Sequence, residues 1–186
     1  MAKIVYKAFK QFGITDKVEF EPEEYQAFIT QFPDMPRIQF LFDKLNALLK
    51  QKPNCAVSSE DEDRIKELQQ EIEVLEYELE EIQNEASKLQ EMITNIGEPQ
   101  TAEQRLMVSL AKETVDNLLA RMTSTSEEKE RKSQELSFLQ QAVQNDLNNC
   151  QRRLENWKQE YTALREEYYN LLSKYNLSSP VAFEEV

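Results

Sequence analysis

The sequence predicts an all-α protein, a small N-terminal helical head leading into long coiled-coil helices, and three observations carry that prediction. First, ten apolar residues step alternately three and four apart: Ile65, Leu68, Ile72, Leu75, Leu79, Ile82, Ala86, Leu89, Ile93 and Ile96. That spacing lines one narrow seam of an α-helix, and its mean period of about 3.5 residues makes paired helices wrap left-handedly. Second, the 186 residues include only 2 Gly and 6 Pro, too few turn residues to fold a series of strands back on one another. Third, Glu, Gln, Lys, Leu and Ala crowd the chain from position 59 onward, the bias of long helices. Hydrophobic residues make up 40% of the chain at a mean hydropathy of −0.70, so they lie in stripes, as in an elongated helical protein.

Residues 1–52 form the head and differ from the rest. They are richer in Phe and Pro and read as three short helices at 4–12, 21–32 and 38–50. Gly13 fits the position after the first helix, where positive φ costs glycine little. Pro22 suits the first turn of the second, and Pro33 with Pro36 separates the second from the third. Phe12, Phe28, Phe40, Leu41 and Leu45 are the candidate head core, with Phe9, Phe20, Tyr25, Phe32, Phe42, Leu48 and Leu49 adding apolar mass. About fifty residues bury little surface. The head is therefore expected to lean on a partner or on the coiled coil.

A linker at 53–58 leads to the first coiled-coil helix at 59–96, with Ser59 and Glu62 matching a capping box and an acidic first turn suiting the helix dipole. At 1.5 Å per residue this helix is on the order of 57 Å long. Gly97 and Pro99 stop it at a break spanning 97–101, and Thr101 with Gln104 opens the next helix. The chain there either folds back as a helical hairpin or jogs and continues. The second helix occupies 102–175. Its seam begins with Val108, Ala111, Val115, Leu118 and Met122, passes through the polar residues Thr125, Lys129 and Lys132, and resumes at Leu136 and Leu139. Two successive steps of four, Leu139 to Val143 to Leu147, mark a stutter that locally unwinds the supercoil. The polar stretch 123–133 reads as a weak point in a continuous helix, with a break capped by Ser124 or Ser126 as the other reading. Residues 176–186 read as a linker or frayed tail.

The candidate functional positions are seam residues awaiting a partner helix: Ile65, Leu68, Ile72, Leu75, Leu79, Ile82, Leu89 and Ile93 in the first helix. In the second they are Leu136, Leu139, Leu147, Leu154, Trp157, Tyr161, Leu164 and Tyr168. The aromatic members are bulky for a two-stranded seam and suit a bundle of three or four helices.

Other chemistries are excluded on composition. The chain has no His, so the commonest general base, the usual zinc nitrogen ligand and every Ser–His or Cys–His pair are missing. Two separated glycines form no phosphate-cradling loop. Neighbouring carboxylates such as Glu80 and Glu81 diverge on a helix and face solvent. An enzyme, a metal and a cofactor are not expected. The net charge of −13, from 35 acidic and 22 basic side chains, repels nucleic acid, anionic lipid and microtubule walls, and favours a basic partner subunit. No apolar stretch approaches the roughly 20 residues that span a bilayer, and the first residues lack a signal-peptide core. Cys55 and Cys150 read as reduced thiols of an intracellular protein.

The N-terminal part carries a resemblance. After Phe12-Gly13-Ile14 come Phe40-Leu41-Phe42-Asp43-Lys44-Leu45-Asn46 and then Asn54-Cys55-Ala56-Val57-Ser58-Ser59-Glu60-Asp61-Glu62, running directly into coiled coil. This resembles the start of the augmin subunit 3 family over residues 9–75. Leu45 stands where that family commonly has an aromatic pair, and the chain is much shorter than family members, as an N-terminal fragment or truncated relative is. The resemblance implies a structural subunit of the complex that recruits γ-tubulin ring complexes for branching nucleation in the mitotic spindle. It implies augmin subunit 5 as first partner, then subunits 1 and 4, and the γ-tubulin ring complex indirectly. The implied location is cytoplasm and cytoskeleton, at spindle and centrosome. The alternative is a homodimeric coiled-coil scaffold, tether or motor adaptor binding cargo through its head. Against self-pairing, Glu71, Glu73, Glu76, Glu78, Glu80 and Glu81 would bring like charges together in two parallel copies.

Overall fold

The computed structural model describes residues 2–186. Along the described chain come β1 (Ile4–Val5), α1 (Ala8–Gln11), β2 (Glu19–Phe20), α2 (Pro22–Gln31), α3 (Met35–Lys50), α4 (Ser59–Ile96) and α5 (Ala102–Lys174). The fold is predominantly all-α, as expected, with one small antiparallel pairing of β1 and β2 in which Ile4 faces Phe20. The chain divides into two compact units.

The hairpin unit is Ala56–Leu147, built from α4 and the first part of α5. Ser58 caps α4, one residue before the expected position: its Oγ accepts the Asp61 N–H at 3.1 Å. Gly97 ends the helix at φ 64°, a left-handed conformation that suits glycine. Thr101 Oγ1 accepts the Gln104 N–H at 3.1 Å, while the Gln104 side chain accepts the Gln100 N–H at 2.8 Å. These reciprocal bonds open α5 next to the break. Of the two alternatives at 97–100, the structure has the hairpin: ion pairs link Glu78 to Arg121, Glu76 to Lys129, Glu71 to Lys132 and Arg64 to Glu135. Each step down α4 is matched by a step up α5, the signature of antiparallel neighbours. The polar stretch 123–133 is uninterrupted helix.

The second unit joins the segment ending at Cys55 to Asn148–Val186. The boundary of the head at 1–52 is thus redrawn, while the expected lean on the coiled coil is present: the head core is completed by the end of α5. Phe9, Phe20, Met35, Ile38, Leu41 and Leu45 pack in one cluster with Trp157, Tyr161, Tyr168, Leu172 and Phe183. A further correction concerns 4–12, expected as one helix. The β-branched Ile4 and Val5 pair instead with β2, the Tyr6 N–H donates to the Val18 carbonyl at 2.9 Å, and only Ala8–Gln11 is helical. α3 begins at Met35, three residues before the expected start, because Pro36 sits in the first turn, where its missing N–H is not needed. Residues 176–186 are no frayed tail, since Phe183 is 2% exposed.

Candidate interaction surfaces

On α4 the seam residues fall into two rows. Leu68, Leu75 and Ile82 make one row and are buried, whereas Ile65, Ile72 and Leu79 in the other are half-buried. Ala86 is buried, and Leu89 and Ile93 toward the turn are half-buried. From α5 the facing residues Val108, Ala111, Val115, Leu118 and Thr125 are buried, and Ile82, Ala86 and Leu118 form a cluster flanked by Leu89 and Met122. The seam is therefore not left vacant for another chain, which corrects the expectation for Leu68, Leu75 and Ile82: the chain's own second helix covers them. A two-helix hairpin shields one side of each seam and leaves the other row half open.

The polar residues of the α5 seam now have an account. Lys129 and Lys132 reach across to Glu76 at 3.0 Å and Glu71 at 2.8 Å, and the Lys132 side chain is only 15% exposed. Bonding to Lys132 holds the Glu71 carboxyl below the usual carboxylate range. Arg64 bonds both Glu135 and Glu67, which raises its pKa further. Charges that pair only when the helices are aligned fix the register of a seam. Leu136, Leu139 and Leu147 are half-buried in the same unit.

Trp157, Tyr161 and Tyr168 are buried, and Leu154 and Leu164 half-buried, but all five belong to the second unit and pack against head residues. Trp157 and Tyr161 stack at 5.1 Å between ring centroids, and the Trp157 indole N–H donates to the Leu48 carbonyl at 2.7 Å. Lys52 lies 5.3 Å over the indole. α3 runs antiparallel to the end of α5: Arg37 grips Glu167 with two bonds of 2.7 Å, and Lys174 and Tyr175 both donate to Asp34. Those bonds hold the carboxyls of Asp34 and Glu167 below the usual range. Of the head residues, Phe12, Leu41 and Leu45 are buried and Phe28 is half-buried. Phe40 is corrected: it lies off the stripe formed by Ile38, Leu41, Leu45 and Leu48, is 52% exposed, and carries the Arg37 guanidinium 5.1 Å over its ring.

Cys55 and Cys150 are joined as a disulfide, with Cα atoms 5.6 Å apart, which overturns the reading as two reduced thiols. Ninety-five residues of sequence separate them, and only the fold brings them together. The bond closes a covalent loop around the hairpin unit.

Charge is divided as sharply as packing. The hairpin unit carries 22 acidic against 9 basic side chains, while the second unit carries 13 of each. All of the net −13 therefore resides on the hairpin. Among the described residues no cluster of three or more potential ligands is arranged to hold a metal ion, and no helix is long and apolar enough to cross a membrane.

Sequence reasoning missed the cystine, Phe183 and Arg165. The two cysteines carry no local signal of pairing, and Phe183 stands alone in a stretch without periodicity. Taken together, these elements define a predominantly all-α protein in which α4 and the first part of α5 pair as a hairpin. Comparison with protein-family models, curated proteins and solved structures finds no match to the chain.

Proposed function

We propose that the chain is a structural subunit of a hetero-oligomeric coiled-coil assembly, acting by packing and not by catalysis. The observation that carries this reading is the half-open row on the hairpin: Ile65, Ile72, Leu79 and Ile93 stay partly exposed although the facing helix is in place, with Ala86 the buried member of that row. Third and fourth helices complete such a seam in bundles. The concentration of acidic side chains on this same unit selects a basic partner helix and disfavours a second copy.

The particular assembly rests on the N-terminal resemblance. It would be an augmin-like complex serving branching microtubule nucleation at the spindle and centrosome, with subunit 5 as first partner and subunits 1 and 4 beyond it. The Cys55–Cys150 disulfide weighs against this location, since such bonds are rare in the reducing cytoplasm. Direct contact with microtubule walls is disfavoured by the acidic surface.

Co-expression with a subunit 5 homologue, followed by light scattering, tests the reading. A stoichiometric complex is expected, and Leu79→Glu should disrupt it while leaving the isolated hairpin helical. A stable homodimer that ignores the candidate partner would favour the scaffold alternative and overturn the proposal.

A further inference from the structure

Residues 179–185 are bound in the way a peptide ligand is bound. Among the described residues no backbone–backbone hydrogen bond ties 178–186 to the rest of the chain. Side chains of α5 reach their backbone instead. The Tyr169 hydroxyl accepts the Phe183 N–H at 2.9 Å, Arg165 Nε donates to the Phe183 carbonyl at 2.7 Å, and the Tyr161 hydroxyl donates to the Glu184 carbonyl at 3.0 Å. One side chain supplies the anchor: the Phe183 ring enters between Phe42 and Tyr168, at centroid distances of 5.7 and 5.4 Å. Arg165, itself stacked 4.9 Å over Tyr169, also pairs with Glu185 at 3.5 Å. Flanking contacts are polar, with Ser179 Oγ 2.6 Å from the Tyr168 hydroxyl.

A groove of about 550 Å³ continues beside this segment, lined by Leu49, Lys52, Leu154, Trp157 and Lys158 opposite Glu184. Lys52 and Lys158 have no carboxylate within 4.0 Å among the described residues. A single buried aromatic anchor, bonds to backbone groups and a cationic, partly apolar extension are the elements of linear-peptide recognition.

We propose that this groove, between α3 and the end of α5, is a recognition site for an extended peptide with one phenylalanine followed by acidic residues. Residues 179–185 occupy it in cis, and a partner protein carrying the same pattern occupies it in trans. The backbone bonds accept any extended chain, the aromatic pocket demands the Phe, and Arg165 with the two lysines selects acidic neighbours. This inference is independent of which helix completes the hairpin.

The test uses the full chain and a labelled synthetic peptide of residues 179–186, followed by fluorescence anisotropy. Phe183→Ala vacates the pocket, so that variant should bind the peptide at least tenfold more tightly than the natural chain, whose own segment competes at a high effective concentration. Arg165→Ala added to that variant should weaken binding several-fold, and a peptide with Ala in place of Phe should not bind. Glu185→Lys, which keeps the anchor and loosens the clamp, should raise peptide binding a few-fold and serves if Phe183→Ala fails to fold. A folded Phe183→Ala chain that ignores the peptide, or takes a scrambled one equally well, would overturn the proposal. So would a natural chain whose dimer is abolished by Phe183→Ala, since the occupant would then be a second copy.

Discussion

Reducing the Cys55–Cys150 bond offers the most quantitative test of the fold. The bond closes a loop over a sequence separation of 95 residues. Such a cross-link removes conformations from the unfolded chain, and for a loop of this length the chain-entropy model gives about 4.7 kcal/mol at 25 °C. For a chain of this size each kcal/mol moves the melting midpoint by a few degrees, so reduction should lower Tm by roughly 10–20 °C. Trp157 is the local reporter, because it is the chain's single Trp, is buried, and lies seven residues from Cys150 on α5. Thermal unfolding followed by its fluorescence, with and without a dithiol reductant, gives the shift. Cys55→Ser should reproduce the reduced midpoint and be insensitive to reductant. Alkylation and mass analysis under non-reducing conditions establish the starting redox state. Equal midpoints for verified oxidised and reduced samples would refute the argument, since the bond would then constrain nothing in the unfolded chain.

Four further outcomes follow from the packing and the charges. Leu75→Glu places a charge in the covered row and should destabilise the hairpin by about 3 kcal/mol or more in urea melts, in line with the loss of a core residue, whereas Leu79→Glu in the half-open row should cost clearly less; equal effects would contradict the two-row description. Trp157→Phe removes the indole donor from the Leu48 carbonyl, which keeps the Gln51 N–H at 3.0 Å, and should cost about 0.5–1.5 kcal/mol in thermal melts followed by far-UV circular dichroism, while a neutral result would remove that bond from the account. Burial, with the neighbouring Tyr25 adding to it, pushes the Tyr6 pKa from 10.0 up to about 12. Folding thus favours the neutral phenol, its contribution is complete below pH 10 and is lost as pH rises through about 12. Absorbance titration should show a late tyrosine coinciding with loss of structure, and all tyrosines titrating together near 10 in a still-folded chain would contradict it. The depressed carboxyls of Asp34 and Glu167 act oppositely: their contribution is present above the ordinary carboxylate range and disappears as pH falls through their lowered values.

Much of the local architecture was legible in the residues. Alternating steps of three and four from Ile65 to Ile96 marked the whole of α4, because a helix repeats its face every few residues regardless of what lies opposite. Gly97 and Pro99 marked its end, because backbone preference is a property of the residue itself. The head was read less well where pairing overrode local preference: Ile4 and Val5 found a strand partner in β2 rather than extending α1. Among candidate site residues, Leu41 and Leu45 were recognised as core, while Phe40 was misjudged because hydrophobicity alone does not say which side of α3 it takes.

What the sequence determined by itself was therefore the extent of the long helices and their apolar faces, together with a net charge of −13. Only the tertiary structure decided which surface covers which: that α5 closes the α4 seam, that Lys132 meets Glu71, that Cys55 meets Cys150, and that Phe183 returns to the head. The physical reason is that a helix period specifies a direction around one axis, and any complementary stripe satisfies it equally well. Choosing among stripes depends on summed packing, ion pairing and loop closure between residues tens of positions or more apart, a set of energies that exists only once the chain has folded.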